Sequence, residues 1–308
     1  MMNAHTLSTS LAILDDPVLP RVHDGDGSIK KQSAVAQLVT YALLSLGGLV
    51  ILVPLYWMIA TSLKSDSNLF VLPPQFFPDP IVWRNYLDVW TIQPFLLYFV
   101  NTIFITLLAM TGEIFSCALV AYGFARFRFP GRDLLFVVLL GTMMLPGVIT
   151  MIPSFLIWRG LGRIDTFSPL TVGAVFAWGP AYIFLLRQFF MSIPAELEDA
   201  AVIDGANTLQ VFADIMLPLV KPAMLAIAVL SFSGNWNSFQ GPLIYLNSQD
   251  KYPVILGLYA FSQSISQEAP KWNYMMALSV IMTLPIITLY FRAQKYFIEG
   301  LTVGAVIA

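Results

Sequence analysis

Few residues in this chain could carry out chemistry, and their positions limit what that chemistry could be. The two histidines, His5 and His23, stand in a polar N-terminal stretch, and the one cysteine, Cys117, stands in an apolar run. The apolar body therefore has no imidazole to activate a serine, and the sequence holds no His-Glu-x-x-His or Gly-x-Ser-x-Gly motif. One cysteine permits neither an internal disulfide nor a cysteine-based metal site. No Gly-x-x-x-x-Gly-Lys-Ser/Thr loop is present to cradle nucleotide phosphates. These absences point away from a hydrolase, a metalloenzyme and a nucleotide-binding chain, and they imply no metal and no cofactor. If ATP drives this protein, another chain binds it.

Some polar and aromatic side chains in apolar runs remain as candidates. Glu113 is the one acid well inside such a run, and burying a charge near mid-membrane costs about 2.5–3.5 kcal/mol on insertion scales. It either contacts a transported species or bonds to a neighbouring helix. Trp236 and Asn237 form a second candidate: indole can stack on a sugar face and an amide can bond to a hydroxyl, yet both also pair between membrane helices. Tyr182, with Phe155, Trp158 and Trp178, is either a pathway contact or a packing or interface aromatic. The cluster Arg126, Arg128 and Arg132 reads as a topology anchor.

The elements that must hold these residues follow from composition. Of 308 residues, 57% are apolar and 11% charged, with a mean hydropathy of +0.74. A soluble domain carries about a quarter charged residues, so much of this surface faces lipid. The net charge of −2 offers no basic footprint for nucleic acid. About 20 apolar residues cross the hydrocarbon layer as a helix, and six such runs are expected at about 35–61, 97–122, 134–157, 168–190, 222–245 and 275–295. Helices are required because lipid-facing strands would leave backbone groups unpaired. Pro54, Pro146, Pro153, Pro180 and Pro285 fall in or near these runs as tolerable kinks. Residues 1–33 read as a mobile tail without periodicity. The next apolar run is too long for a signal-peptide core. With six spans, ten Lys and Arg residues fall on the side of both termini and six on the other, which puts both termini in the cytoplasm. Residues 64–96, with Trp83, Tyr86 and Trp90, read as an ordered external cap.

Between the fourth and fifth runs, Glu196, Glu198 and Asp199 come just after Pro194. Proline suits a first helical turn, and acids suit the positive end of the helix dipole. A short helix with a small, apolar face (Leu197, Ala200, Ala201, Ile203) is expected here, stopped by Asp204-Gly205. Thr208 is expected to cap a second short helix that runs to about Met216 and closes at Leu217-Pro218. Such a helix-turn-helix unit is suited to docking against another protein.

This loop resembles the coupling loop of bacterial ABC importer permeases, whose pattern is Glu-Ala-Ala, three residues, Gly, nine residues, Ile, one residue, Leu-Pro. Here it reads Asp199-Ala200-Ala201, Gly205, Ile215 and Leu217-Pro218, with Asp in place of Glu. The segments 121–132, 184–190 and 236–239 and the ending 297–306 are similar to those of carbohydrate-importer permeases of the maltose-transport type, in their smaller permease subunit. The resemblance covers about residues 35–308.

The resemblance implies an all-α membrane protein with six transmembrane helices, the type I ABC importer permease fold, and residence in the bacterial inner membrane. It divides the chain into a cytoplasmic tail (1–33), a first transmembrane helix (34–63), an external loop (64–96), a transmembrane domain (97–291) with its coupling loop at 192–220, and a cytoplasmic C-terminal tail (292–308). The implied partners are a second permease, two ABC ATPase subunits, an external solute-binding protein and the lipid bilayer. The coupling residues would be Glu198, Asp199, Ala200, Ala201, Asp204, Gly205, Ile215, Leu217 and Pro218. In that role Asp199 would meet a basic group of the ATPase, the two alanines would permit close packing, and Gly205 would allow the turn. The implied function is a non-enzymatic permease subunit for carbohydrate import that forms half of the translocation pathway. The rival is an ion-coupled secondary transporter acting alone, which the lone acid Glu113 supports poorly.

Overall fold

The computed structural model describes residues 34–263 and 271–305. The expected N-terminal tail, with His5 and His23, and the final residues 306–308 lie outside them. The described residues are all-helical.

Among the described residues four apolar helical stretches are long enough to cross a membrane: Gln37–Ser62, Phe95–Arg126, Ser168–Ser192, which holds a short interruption, and Trp272–Gln294. Two bent pairs raise the number to six if each counts as one span. Two units are distinguished, Met1–Val53 and Pro54–Ala308. The described part of the first is the start of α1 (Ala34–Ser62), whose apolar side chains are exposed as lipid-facing residues are.

Within the second unit, α3 (Phe95–Arg126) is the long strut. At 32 residues it is about 48 Å long, and it packs against α6 (Ser168–Val175), α7 (Pro180–Ser192), α11 (Lys221–Trp236) and α13 (Val254–Gln263). Two apolar cores form along it. One joins Tyr122, Leu186, Phe190, Met216 and Ile227, and the other joins Val89, Phe95, Tyr98, Val254 and Leu278. The second core takes residues from α2 (Asn85–Ile92) and α14 (Trp272–Ala305). The expected cap at 64–96 is ordered: Asn85 Nδ2 donates to the carbonyls of Ser62 and Lys64, and Asn273 Nδ2 donates to Asp66 Oδ1 at 2.7 Å. Lys64 is buried with its ammonium 4.5 Å over the Trp57 ring, and burial lowers its pKa.

Three expected spans are not continuous rods. The run expected at 134–157 is α4 (Arg132–Thr142) followed by α5 (Gly147–Gly160), bent by 101°. Pro146 disfavours helical backbone at Leu145 and caps α5 in an extended conformation. The run at 168–190 is interrupted at 176–179, where Ala177 takes a φ of 58° and Pro180 starts α7. The run at 222–245 breaks after Trp236, and α12 (Gln240–Tyr245) comes next. Pro54, Pro153 and Pro285 are carried inside helices. α14 continues to Ala305, so the first part of the expected C-terminal tail is helical.

Candidate functional site

The acidic loop folds into α8 (Glu196–Ile203), which starts two residues after Pro194 and leaves that proline outside the expected first turn, with Glu196, Glu198 and Asp199 in it instead. There their charge meets the positive end of the helix dipole. The helix ends in a tight set of bonds: Asp204 N–H to Ala200 O at 3.0 Å, Gly205 N–H to Val202 O at 3.0 Å and Ala206 N–H to Ala201 O at 2.9 Å. Gly205 has a φ of 90°, a conformation in which a Cβ is penalised. Asn207, not Thr208, caps the second helix of the loop, through a reciprocal pair of bonds with Gln210. That helix, α9 (Thr208–Gln210), runs through a π-helical stretch, Val211–Met216, into α10 (Leu217–Leu219). It therefore passes Met216 and turns by 76° into α11.

The unit has an inner and an outer side. Ala201 is buried in the first core with Val211 and Met216, and Ile215 and Leu217 pack against that core half-buried. Glu198 also turns inward. Its carboxylate lies against Arg126 Nε at 2.5 Å and accepts from Tyr122 Oη at 3.1 Å. The Arg126 contact is one of charge, because its N–H is not aligned for a hydrogen bond. Arg126 Nη2 also donates to Ile193 O at 2.7 Å, which makes Arg126 a brace for the loop. Asp199, Ala200, Asp204, Gly205 and Pro218 are exposed, beside Leu197, Val202 at 60% and Ile203 at 85% exposure. The nine residues expected to couple thus divide between packing the loop and presenting a surface.

The four pathway candidates each have their own packing or hydrogen-bond partners. Ser231 Oγ donates to Glu113 Oε2, and Asn235 Nδ2 donates to Ser231 O at 2.9 Å, so Glu113 ties α3 to α11. Tyr182 packs against the first core. Trp236 is 3% exposed, donates from Nε1 to Met282 O at 3.1 Å and stacks on Phe232 with centroids 5.1 Å apart. Asn237 ends α11, where its amide donates to Ser233 O. Among the described residues no group of His, Cys, Asp and Glu has a metal-binding arrangement.

Two features were missed by reading residues singly. Asp165, with a φ of 58°, accepts from the backbone N–H groups of Asn247 and Ser248, from Ser248 Oγ at 2.6 Å and from Lys251 Nζ at 2.8 Å. Its own N–H donates to Tyr245 O at 2.8 Å. These donors, Lys251 foremost, hold the Asp165 carboxyl well below the usual carboxylate range. The second is a cleft of about 610 Å³ lined by residues that include Thr150, Ser154, Trp158, Trp178, Gln240 and Tyr245. Its sequence signals are the Pro146-Gly147 and Gly179-Pro180 pairs at two of the helix breaks and Gly241-Pro242 in the first turn of α12.

Broken apolar helices around a strut, with a braced helical unit at one end, are the architecture of a multi-pass membrane protein. Residues 114–303 match the family model described as the binding-protein-dependent transport system inner membrane component. The chain is 31% identical to the diacetylchitobiose uptake system permease protein NgcG of Streptomyces coelicolor, over 86% of this chain and 87% of that one. It is also 31% identical to the sn-glycerol-3-phosphate transport system permease protein UgpE of Yersinia enterocolitica, over 85% and 94%. A crystal structure of a bacterial ABC transporter involved in the import of the acidic polysaccharide alginate contains a chain that matches with a TM-score of 0.76 and 29% identity, over 85% of this chain and 96% of that one. The chain belongs to the family of inner-membrane components of binding-protein-dependent ABC importers. Its fold is of the type I importer class, and it is a transmembrane subunit rather than an enzyme. That family implies an ATPase and a solute-binding protein as partners, which separates the chain from a carrier acting alone.

Proposed function

We propose that this chain forms half of the translocation pathway of an ATP-driven carbohydrate importer, beside a second permease, and that two ATPase subunits drive the pair. Its α8 is the coupling helix. One observation carries that assignment: α8 presents Asp199, Ala200, Val202 and Ile203 outward while Ala201 and Glu198 fix it to the core. An exposed apolar side chain beside carboxylates, on a helix braced from below, suits a groove with a basic rim. A push or pull on such a helix passes through Arg126 into α3 rather than being lost in loop motion. Both termini then lie in the cytoplasm with α8, as the Lys and Arg distribution favours, and the transmembrane domain extends over about 97–291. Carbohydrate is the favoured cargo because relatives are named for diacetylchitobiose uptake and alginate import.

Co-purification and vesicle transport test this reading. The chain should leave the membrane in mild detergent with an ATPase, and sugar uptake by reconstituted vesicles should need ATP. Uptake that ignores ATP, or isolation of the chain without any ATPase, would overturn it.

A further inference from the structure

The three helix breaks meet at one place. Gly147 opens α5, Trp178 stands in the interruption between α6 and α7, and Gln240 opens α12, and all three line the same cleft of about 610 Å³. Irregular backbone at membrane depth persists only where protein buries it or where it lines a wet cavity, and discontinuous helices commonly build the substrate site of a transporter. Ala177, beside Trp178, holds a left-handed φ of 58° that an alanine rarely adopts, which is the kind of local strain found at functional positions. It coincides with a Trp178 side chain that is 76% exposed.

The lining sorts by chemistry. Trp158, Trp178 and Tyr245 supply aromatic faces, while Thr150, Ser154 and Gln240 supply hydroxyl and amide groups. Tyr245 is fixed on one side by Oη to Ser154 Oγ at 3.1 Å and on the other by the bond from Asp165 N–H to its carbonyl. The volume lies within the range of about 300–1,000 Å³ typical of small-molecule sites, which combine apolar walls with few polar groups. Among the described residues none that lines the cleft is charged. The N-terminus of α5 offers an anion only the equivalent of about half an elementary charge. A carboxylate or phosphate that leaves water needs a full partner.

We propose that this cleft is a station for an uncharged sugar, with Trp178 as a stacking platform and Gln240 as a polar selector, and that anionic sugars are disfavoured in it. The proposal deepens the importer reading and rests on it. It separates this chain from relatives named for glycerol 3-phosphate and alginate.

Cys117 is buried, so a thiol placed in the cleft by Thr150→Cys is the accessible one for maleimide labelling. The labelling is run on the complete importer in membranes, with cellobiose, maltose or diacetylchitobiose as neutral probes and glycerol 3-phosphate or an alginate disaccharide as anionic ones. At least one neutral disaccharide should slow labelling and neither anion should. Adding Trp178→Ala should weaken that protection roughly threefold to tenfold, and Trp178→Phe should retain most of it. Gln240→Ala should alter the order of preference among the neutral sugars. Protection by no neutral sugar, or better protection by an anion, overturns the station, as does full protection in Trp178→Ala. ATP-dependent uptake by the parent importer, measured in the same membranes, separates these failures from a failure of the importer reading.

Discussion

Arg126, the last residue of α3, stands 2.5 Å from Glu198 on α8 and also bonds to the carbonyl of Ile193, which precedes that helix. The strut of the second unit is thus clamped to the surface helix at two points, and both charged side chains are mostly buried. Such a contact is costly to break from one side only, which gives the proposed coupling helix a firm link to α3.

Removing one partner of this contact should therefore be worse than exchanging both. Arg126→Ala or Glu198→Ala is expected to cost about 1–3 kcal/mol, somewhat below the 3–5 of a fully buried pair, and to lower ATP-driven uptake sharply. The exchange Arg126→Glu with Glu198→Arg should restore part of the loss. It should not restore all, because the bond to Ile193 is not rebuilt. Thermal unfolding in detergent and vesicle uptake measure the two effects.

At Gly205 there is open space around a Cβ, so its constraint is the backbone. The left-handed conformation costs a residue with a Cβ about 1–2 kcal/mol, and asparagine tolerates it better. Gly205→Asn should keep more uptake than Gly205→Val. A bulky residue such as tryptophan should abolish uptake with normal membrane insertion. Equal uptake by all three variants would argue against a coupling role for this turn.

The Asp165 clamp sets a pH dependence. Its folded pKa lies below the unfolded value, so its stabilisation is fully present above about pH 4, the ordinary range of an aspartate. That stabilisation is lost as pH falls from there through the folded pKa. The melting temperature should hence show no contribution from Asp165 titration between about pH 8 and pH 5. Asp165→Asn should melt lower at about pH 7, and its difference from the parent should shrink only below about pH 4.

Trp236 belongs to packing rather than to the cleft. Trp236→Ala should destabilise by about 3–5 kcal/mol, the range for removing a large buried aromatic. Trp236→Phe keeps the stack on Phe232 and forfeits the bond to Met282, so its loss should be near about 1 kcal/mol. Urea or thermal unfolding reads the difference. A normal melting curve for the alanine variant would show that the site is not core.

Gly257 is a different constraint from Gly205. A Cβ there would collide with the ring of Tyr98, which Phe95 holds edge to face. Gly257→Ala should cost about 1–3 kcal/mol, and adding Tyr98→Leu should recover part of it. Thermal unfolding of the single and double variants tests the pair.

The sequence by itself determined the membrane class, the number of apolar runs and the acidic helix with its glycine turn. These features rest on local composition, dipole and backbone preference, which act within one turn of chain. It located Glu113 and Trp236 but not their surroundings. Only the tertiary structure decided that Glu113 bonds to Ser231, that Trp236 is core, and that Glu198 and Ala201 face inward while Ile203 faces out. It also brought Asp165 to Lys251, and Gly147, Trp178 and Gln240 from three helix breaks to one cleft. Those pairings join residues tens of positions apart, and their partners are selected by packing around α3, which no local pattern in the chain encodes.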